Sequence, residues 1–329
     1  MHLFRQIVHC LTNVHRNIKG YDMKPTKLIG PVLLCFAVAS SQAATFLGSE
    51  LESFAVLGSS AVTNTGATTL TGNLGVSNNS SITGITGFFG TLSNDGPGLA
   101  SGTVHQGDAY ATLADSQLTL AKNSLALMGV GTTLGADLTG LTLAPGTYTV
   151  SAGASNLTGA LTLDGGGNAN AYWVFQMPST LITSSSSFIN VINSGSGAGV
   201  YWDVGSSATL GANSTFQGNI LASASITMGS GVTISCGRAL AHTGAVTMIS
   251  DTVNAVGCLG SAAAGSNGLS GGLIVAQAGG MPSALAFSPV LAVPEPESYA
   301  MLLAGLGLIG AVVKRRKGAR LATQFNTGS

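Results

Sequence analysis

The segment from Gly205 to Ala255 repeats about every 19 residues, a period typical of solenoid proteins. Each repeat contains three short segments separated by Gly and Ser, and we name the three sets of equivalent segments columns. The first column consists of Ser207–Leu210, Ser225–Met228 and Ala245–Met248. The second column consists of Ser214–Phe216, Val232–Ile234 and Asp251–Val253. The third column consists of Gly218–Ala222 and Gly237–Ala241. Three strands in each repeat predict a three-faced β-helix.

Within each segment, apolar residues alternate with threonine, which is the period of a β-strand. In the first column this alternation directs Ile226 and Met228 towards a core and Thr227 towards solvent. Equivalent threonines in successive repeats then form ranks on the outer surface. The predicted fold class is therefore mainly β, a β-solenoid whose flat faces carry rows of threonine.

Residues 103–129 lack this pattern. Their apolar positions recur every three or four residues, which predicts an amphipathic α-helix of about 20–25 residues that Gly129 and Gly131 can end. An isolated helix of this length is marginal in water, so it needs an apolar surface to cover. The third column supplies side chains such as Leu221 and Leu240, so we expect the helix to lie along that column.

The net charge of zero hides a segregated distribution of charge. Lys122 and Arg238 are the only bases between residues 44 and 260, against nine acids, and the other ten bases lie near the two ends. An acidic central domain argues against nucleic acid as a partner. Only 7% of the residues are charged and 47 are Gly, which fits a turn-rich β protein.

The first 43 residues are predicted to be a leader. Residues 23–43 have the features of a signal peptide, namely Met23 with two following lysines, an apolar run from Leu28 to Ala39, and the cleavage-site motif Ser41-Gln42-Ala43. The apolar run is too short for the alternative, a membrane-spanning anchor. We expect Met23 to be the true start and the mature domain to cover residues 44–259.

Two cysteines remain after removal of the leader. Cys236 and Cys258 are 22 positions apart, about one repeat plus a few residues, and oxidation is expected in an exported protein. They are candidates for a disulfide across the last coil. The alternative is a pair of buried free thiols.

The C-terminus carries a second signal over residues 291–320. It combines the motif Pro294-Glu295-Pro296, an apolar run from Met301 to Val313 and the basic tail Lys314-Arg315-Arg316-Lys317. This arrangement resembles the PEP-CTERM sorting signal of Gram-negative bacteria. The resemblance implies transient membrane insertion through residues 299–313 and recognition by exosortase-type sorting machinery. It also implies export to the cell surface or extracellular matrix, often with exopolysaccharide.

An ordinary tail anchor is the alternative to a sorting signal at this end of the chain. Residues 260–290, rich in Gly, Ala and Ser, are expected to be a linker between the domain and the signal, and residues 321–329 a short tail.

Several motifs between residues 46 and 256 match one protein family in order and spacing. They are Ser53–Gly58, Gly72–Val76, Leu141–Tyr148, Trp173–Gln176, Trp202–Leu210 and Gly218–Ala222. Through these motifs the chain resembles the microbial ice-binding proteins. The resemblance implies a right-handed, discontinuous β-helix of triangular section with one long α-helix along a side. It also implies that N-terminal coils stack out of sequence order against C-terminal coils, and that the activity is adsorption to ice.

Two columns are candidates for the ice-binding face. The first choice is the second column, where Ser230-Gly231-Val232-Thr233 loosely resembles an ice-facing tetrad of the family. Gly231 would keep this surface flat, and Asp251 interrupts the row. Its residues are Ser214, Thr215, Ser230, Gly231, Thr233 and Thr252. The alternative is the first column, with Thr162, Thr209, Thr227, Thr243 and Thr247. A third interpretation is that threonine simply suits exposed strands.

An enzyme is not expected, because the acids are scattered and neither His105 nor His242 has a nucleophile close in sequence. No metal-ligand spacing is present, and no cofactor or catalytic residue is predicted. The predicted function is adsorption to ice by an exported protein. The alternative is a cell-surface adhesin, or a structural protein of the exopolysaccharide matrix, without ice activity.

Overall fold

The computed structural model describes residues 45–78, 81–90, 96–151, 153–258, 265–275 and 279–290. The predicted signal peptide and the C-terminal sorting signal, including Pro294, Glu295, Pro296 and the apolar run 301–313, lie outside the described residues. Within the described part of the chain, no helix is both long and apolar enough to cross a membrane.

The protein is mainly β. Its N-terminal half begins with the short helix α1 (Ser49–Ser53) and ends with the long helix α2 (Ala109–Leu127). Seven strands lie between these helices: β1 (Phe54–Gly58), β2 (Ala61–Thr65), β3 (Thr69–Thr71), β4 (Asn73–Val76), β5 (Ile82–Thr83), β6 (Ile85–Gly90) and β7 (Gly98–Gln106).

Strands also make up the part of the chain after α2. The strands up to the end of the repeat are β8 (Thr132–Leu134), β9 (Thr142–Leu143), β10 (Gly146–Val150), β11 (Ser155–Leu157), β12 (Ala160–Asn168), β13 (Tyr172–Met177), β14 (Leu181–Thr183), β15 (Phe188–Ser194), β16 (Gly199–Val204), β17 (Ala208–Leu210), β18 (Thr215–Ala222), β19 (Ile226–Met228), β20 (Thr233–Ala241), β21 (Ala245–Ile249) and β22 (Thr252–Asn254). A hairpin follows, formed by β23 (Leu273–Val275) and β24 (Pro282–Ala284).

The first column forms a seven-stranded parallel sheet in the order β11-β14-β17-β19-β21-β2-β5. The second and third columns form a fifteen-stranded sheet, because the longer strands β7, β18 and β20 run through both. The second column reads β9-β12-β15-β18-β20-β22-β3-β7-β6, and the third reads β8-β10-β13-β16-β18-β20-β1-β4-β7. All of these pairings are parallel.

The first three N-terminal strands pair on one side with the end of the repeat and on the other with later N-terminal strands. Strand β1 pairs with β20, β2 with β21, and β3 with β22. Helix α2 then leads the chain to β8, at the opposite end of the third column. Its 19 residues span about 28 Å at 1.5 Å per residue, which covers about six strand spacings.

Helix α2 packs on the third column, as predicted. Leu118 and Leu125 belong to one buried cluster with Val174, Leu221 and Leu240 of that column. The predicted start of the helix was wrong, because residues 98–106 form strand β7, so His105 lies in a strand. The helix begins after Asp108, whose Oδ1 accepts a hydrogen bond from the Ala111 N–H at 2.9 Å.

The core lies between the three columns. One buried cluster joins Leu210 and Ile226 of the first column, Phe216 and Ile234 of the second, and Trp202 of the third. Two third-column segments are fully buried: Trp173, Val174, Phe175, Tyr201 and Trp202 are each 0% exposed. The rings of Phe175 and Trp202 stack on adjacent strands with centroids 4.0 Å apart.

The Cys236–Cys258 disulfide is present, with the two Cα atoms 5.2 Å apart. The expected linker needs correction for its described part, residues 265–275 and 279–290, which we call the C-terminal strap. Leu269 and Leu273 of the strap are buried in the two core clusters. The strap therefore belongs to the folded domain, since its apolar residues complete the core.

Candidate functional site

The first column presents a single rank of threonines from both halves of the domain. Thr209 pairs with Thr227, which pairs with Thr247. Thr247 then pairs with Thr63, and Thr63 with Thr83. Neighbouring strands lie about 4.8 Å apart, so these five side chains form a row about 19 Å long. The row continues on its β17 side into Ile182 and Asn156.

These five threonines face solvent and carry no charge. Four are exposed and Thr247 is half-buried. Among the described residues, none of the five hydroxyls hydrogen-bonds to another protein group, so all five are available to water. No register shift interrupts any pairing in this seven-stranded sheet. The face is therefore regular along its whole length.

The second column presents a shorter rank with apolar ends. Thr215, Thr233, Thr252 and Thr69 are in register, between the exposed side chains of Phe188 and Leu99. In the fifteen-stranded sheet that contains this column, the β12–β15, β18–β20 and β6–β7 pairings each include a register shift just beyond the threonine positions, where the strands turn into the third column. Bulges of this kind bend and twist a strand, so this face is bounded by a less regular edge than the first.

Ser214, Thr162 and Thr243 are among the candidate residues that lie elsewhere than predicted. Ser214 is only 1% exposed, because Thr215 beside it points out and the strand alternates. Thr162 belongs to the second column, where it pairs with Thr142 and Asn190. Thr243 is exposed at the corner before β21, and its hydroxyl donates to the Ser223 carbonyl at 2.8 Å.

Asp251 does not interrupt the second column as predicted, because its side chain is fully buried beneath that column. Its two carboxylate oxygens accept hydrogen bonds from the N–H groups of Val232 and Ile249 at 2.8 and 2.7 Å. Burial raises the pKa of the Asp251 carboxyl to about 6, although the backbone hydrogen bonds lower it. Neither candidate rank therefore contains a charged side chain.

The corner between the first and second columns explains the roles of Ser230 and Gly231. Ser230 is exposed, and Gly231 has a φ of 76°. Asn213 and Ser250, two residues before Thr215 and Thr252, adopt φ values of 56° and 54°. A left-handed residue thus turns the chain at the same point of these three coils. The predicted serine-glycine pair is part of this turn and not of the flat face.

Sequence reasoning missed the N-terminal members of both ranks, Thr63 and Thr83 in the first and Thr69 in the second. A signal was present, because Val62-Thr63 and Ile82-Thr83 repeat the apolar-threonine pair of Ile226-Thr227. Thr69–Thr71 lies in the second column, where Thr69 pairs with Thr252.

Among the described residues, no group of three His, Cys, Asp or Glu side chains is placed to hold a metal ion. His105 contacts the helix cap Asp108 at 2.6 Å, and His242 contacts Asp115 at 3.2 Å. One open cavity of about 380 Å³ lies beside the end of α2. It is lined mainly by apolar residues such as Val130 and Pro178, and the carboxylate at its edge, Asp203, is paired with Lys122.

The comparison with known families decides the relationship. The profile of the family described as "Ice-binding-like" matches residues 56–254. The chain belongs to the ice-binding-like family. A second profile, the PEP-CTERM protein-sorting motif, matches residues 292–317. Both predicted resemblances are thereby confirmed.

Individual relatives agree with this membership. A protein named ice-binding protein from Nostoc sp. (strain HG1) is 48% identical over 202 residues, which cover 61% of this chain and 71% of the relative. A crystal structure of an ice-binding protein from an Antarctic biological consortium is 37% identical, with a TM-score of 0.56, covering 63% of this chain and 89% of that chain.

The ice-binding protein of the Antarctic ascomycete Antarctomyces psychrotrophicus also has a similar structure. It is 36% identical, with a TM-score of 0.56, covering 67% of this chain and all of that chain. The matches therefore extend across bacterial and fungal members of the family.

Proposed function

We propose that this protein is an exported ice-binding protein that adsorbs to ice through the first column. The observation that carries the proposal is the in-register rank Thr209, Thr227, Thr247, Thr63 and Thr83 on a sheet without a register shift. The family membership supplies the activity, and the rank supplies a surface for it.

This choice reverses the preference based on sequence. Of the residues predicted for the second-column face, Ser214 is buried, and Ser230 and Gly231 belong to a turn. Its four-threonine rank also ends at exposed Phe188 and Leu99. Thr162 and Thr243 were predicted for the first-column rank and do not belong to it. Thr63 and Thr83 of the N-terminal coils do belong to it.

The proposed architecture is a right-handed, discontinuous three-faced β-helix with α2 along the third column. Three ladders of parallel strands around one buried cluster support the three faces. The pairing of β1 to β3 with β20 to β22 supports the discontinuity. In this arrangement α2 covers the third column, so only the first and second remain open to ice.

Binding of ice by such a face follows from many weak contacts made together. Each threonine offers a methyl group, which orders the adjacent water, and a hydroxyl group, which can hydrogen-bond it. A single contact of this kind is weak, so affinity requires a large surface that is ordered before binding. Backbone pairing in the sheet fixes these side chains in advance, which lowers the entropic cost. Charged groups would impose their own hydration, and the rank contains none.

Export is proposed to follow the C-terminal sorting motif. The match to residues 292–317 supports processing by exosortase-type machinery and delivery to the surface of a Gram-negative cell. Transient membrane insertion through residues 299–313 and association with exopolysaccharide are parts of the same proposal.

Ice-affinity partition of the full chain tests the function. The protein should be enriched in a slowly growing ice hemisphere relative to a soluble control protein. Thr227→Tyr should abolish the enrichment, because the bulky ring breaks the flat face. Thr233→Tyr is the matched control. It places the same side chain on β20, the next strand along the chain, which belongs to the second column, and it should leave ice partition unchanged.

The outcomes separate the candidates. Loss in Thr233→Tyr alone, with unchanged melting temperature, would move the site to the second column. Exclusion of the wild-type chain from ice would reject the function and favour a matrix protein without ice activity.

A further inference from the structure

The C-terminal strap follows the junction at which second-column strands turn into third-column strands. Arg238 Nη1 donates to the Gly268 carbonyl at 3.1 Å, and Asn219 Nδ2 donates to the Leu269 carbonyl at 2.9 Å. On the next coil, Gly199 bridges to Ser270. At the end of the strap, the Val290 N–H donates to the Gly167 carbonyl at 2.9 Å. The partners Arg238, Asn219, Gly199 and Gly167 all lie at this one junction on successive coils.

The strap is held firmly along this path. The Arg238 guanidinium is fully buried and also donates to the carbonyl oxygens of Glu52, Ala255 and Asn267. The Cys236–Cys258 disulfide fixes the chain shortly before the strap begins. A segment with this many buried contacts keeps its position relative to the three columns.

The strap ends two residues before the sorting motif. Val290 lies beside Gly167, at the junction of β12 and β13, and the sorting motif begins at residue 292. A chain held through the sorting motif is therefore tethered at this junction. The N-terminal end of the domain lies on the same strap, because Thr45 bridges to Ile274.

The position of this junction determines which face stays accessible. The three columns surround one core, so the junction of the second and third columns lies across that core from the first. The second column borders the junction directly. An attachment at Val290 thus leaves the first-column rank clear but crowds one edge of the second column.

We propose that the protein binds ice while it is held through its C-terminal segment, with the first column directed away from the supporting surface. The inference rests on the proposed function and adds an orientation to it. The chain would then act as an anchored ice adhesin.

Site-directed immobilisation tests the orientation. The full chain is prepared with Cys10→Ser and Cys35→Ser, so that the buried disulfide is its only remaining cysteine pair. One sample carries a single added cysteine after Ser329, and a second carries Asn156→Cys, at an exposed position of the first column two strands beyond the threonine rank. Each is coupled to beads through maleimide, and the adsorption of the beads to a polycrystalline ice surface is counted. Unconjugated samples of both proteins are measured by ice partition in parallel.

Beads coupled through the C-terminus should adsorb to ice and should lose adsorption when Thr227→Tyr is added, whereas Thr233→Tyr should have no effect. Beads coupled through Asn156→Cys should not adsorb, because the first column then faces the bead, although the unconjugated Asn156→Cys protein partitions into ice. Two results would show that the orientation is wrong while the proposed function stands. In the first, C-terminally coupled beads do not adsorb to ice although the unconjugated protein partitions into it. In the second, both types of bead adsorb to ice equally. Failure of the unconjugated protein would reject the proposed function itself and the orientation with it.

Discussion

Thr247 of the C-terminal repeat and Thr63 of the N-terminal segment are direct partners in one parallel register. Their pairing joins the three threonines that the sequence repeat displays to two that it does not, Thr63 and Thr83. The rank proposed to bind ice is therefore assembled from both ends of the domain.

This pairing makes Thr63 as important for ice binding as the repeat residues. Thr63→Tyr should abolish ice partition as Thr227→Tyr does, because a flat face fails when any central position protrudes. Thr63 is exposed, so the free energy of unfolding should change by less than about 0.5 kcal/mol. Ice partition and urea denaturation measure the two effects.

Thr69→Tyr is the matched control for Thr63→Tyr, since Thr69 lies in the same coil but in the second column. It should partition into ice like the wild type. Normal partition of Thr63→Tyr would show that the N-terminal coils do not contribute to the face.

The strands of the repeat could be predicted because local alternation determines them. The first-column segments Ser207–Leu210 and Ser225–Met228 contain the strands β17 and β19, each with the expected C-terminal residue. The partners of the N-terminal strands could not be derived from the period, because β1, β2 and β3 pair with strands far along the chain. Only the family resemblance implied that order.

The candidate site was predicted less well, and for a physical reason. Side-chain direction depends on the point at which each turn ends and the strand begins. Ser214 and Asp251 immediately precede outward threonines and so point inward. A pattern of polar residues alone could not separate them from Thr215 and Thr252.

Helix α2 is fixed to the third column by an ion pair whose side chains are 13% and 17% exposed. Lys122 Nζ lies 2.5 Å from Asp203 Oδ1 and donates two further hydrogen bonds, to the carbonyl oxygens of Val204 and Leu221. Lys122→Ala leaves the partly buried Asp203 carboxylate without its cation, so it should lower the free energy of unfolding by about 1 to 3 kcal/mol. Urea denaturation measures this loss.

The double variant Lys122→Met with Asp203→Leu removes both charges and keeps apolar volume, so it should recover most of that stability. Both variants should still partition into ice while folded, since the pair lies away from the first column. Equal loss of stability in the single and double variants would contradict the assigned cause.

Stability should depend on pH through Asp251. Because burial raises the pKa of its carboxyl to about 6 from the model-compound value of 3.8, the folded protein holds a proton that the unfolded chain has released. Stability is therefore lost as the pH rises from about 4 to about 6, and the loss is complete above that range. The loss should be up to about 3 kcal/mol, because each pKa unit corresponds to about 1.4 kcal/mol.

Comparison with Asp251→Asn isolates this contribution. Burial also raises the pKa of the Asp115 carboxyl, while hydrogen bonds lower the pKa of Asp137 and Asp164, so the pH dependence of the wild type is a sum. The variant should lose less stability between about pH 4 and about pH 7 than the wild type does. Parallel curves for the two proteins, from urea midpoints across this range, would exclude Asp251 as the source.

The Cys236–Cys258 disulfide should stabilise the fold by restricting the unfolded chain. Its sequence separation of 22 residues predicts a loss of about 3 kcal/mol when Cys236→Ala and Cys258→Ala are combined. Both sulfurs belong to buried residues near the strap, so the folded double variant should still partition into ice. A reductant should lower the melting temperature of the wild type and leave that of the double variant unchanged. If the reduced wild type melts at the same temperature as the oxidised protein, the strap is held by Arg238 and its carbonyl partners without help from the disulfide.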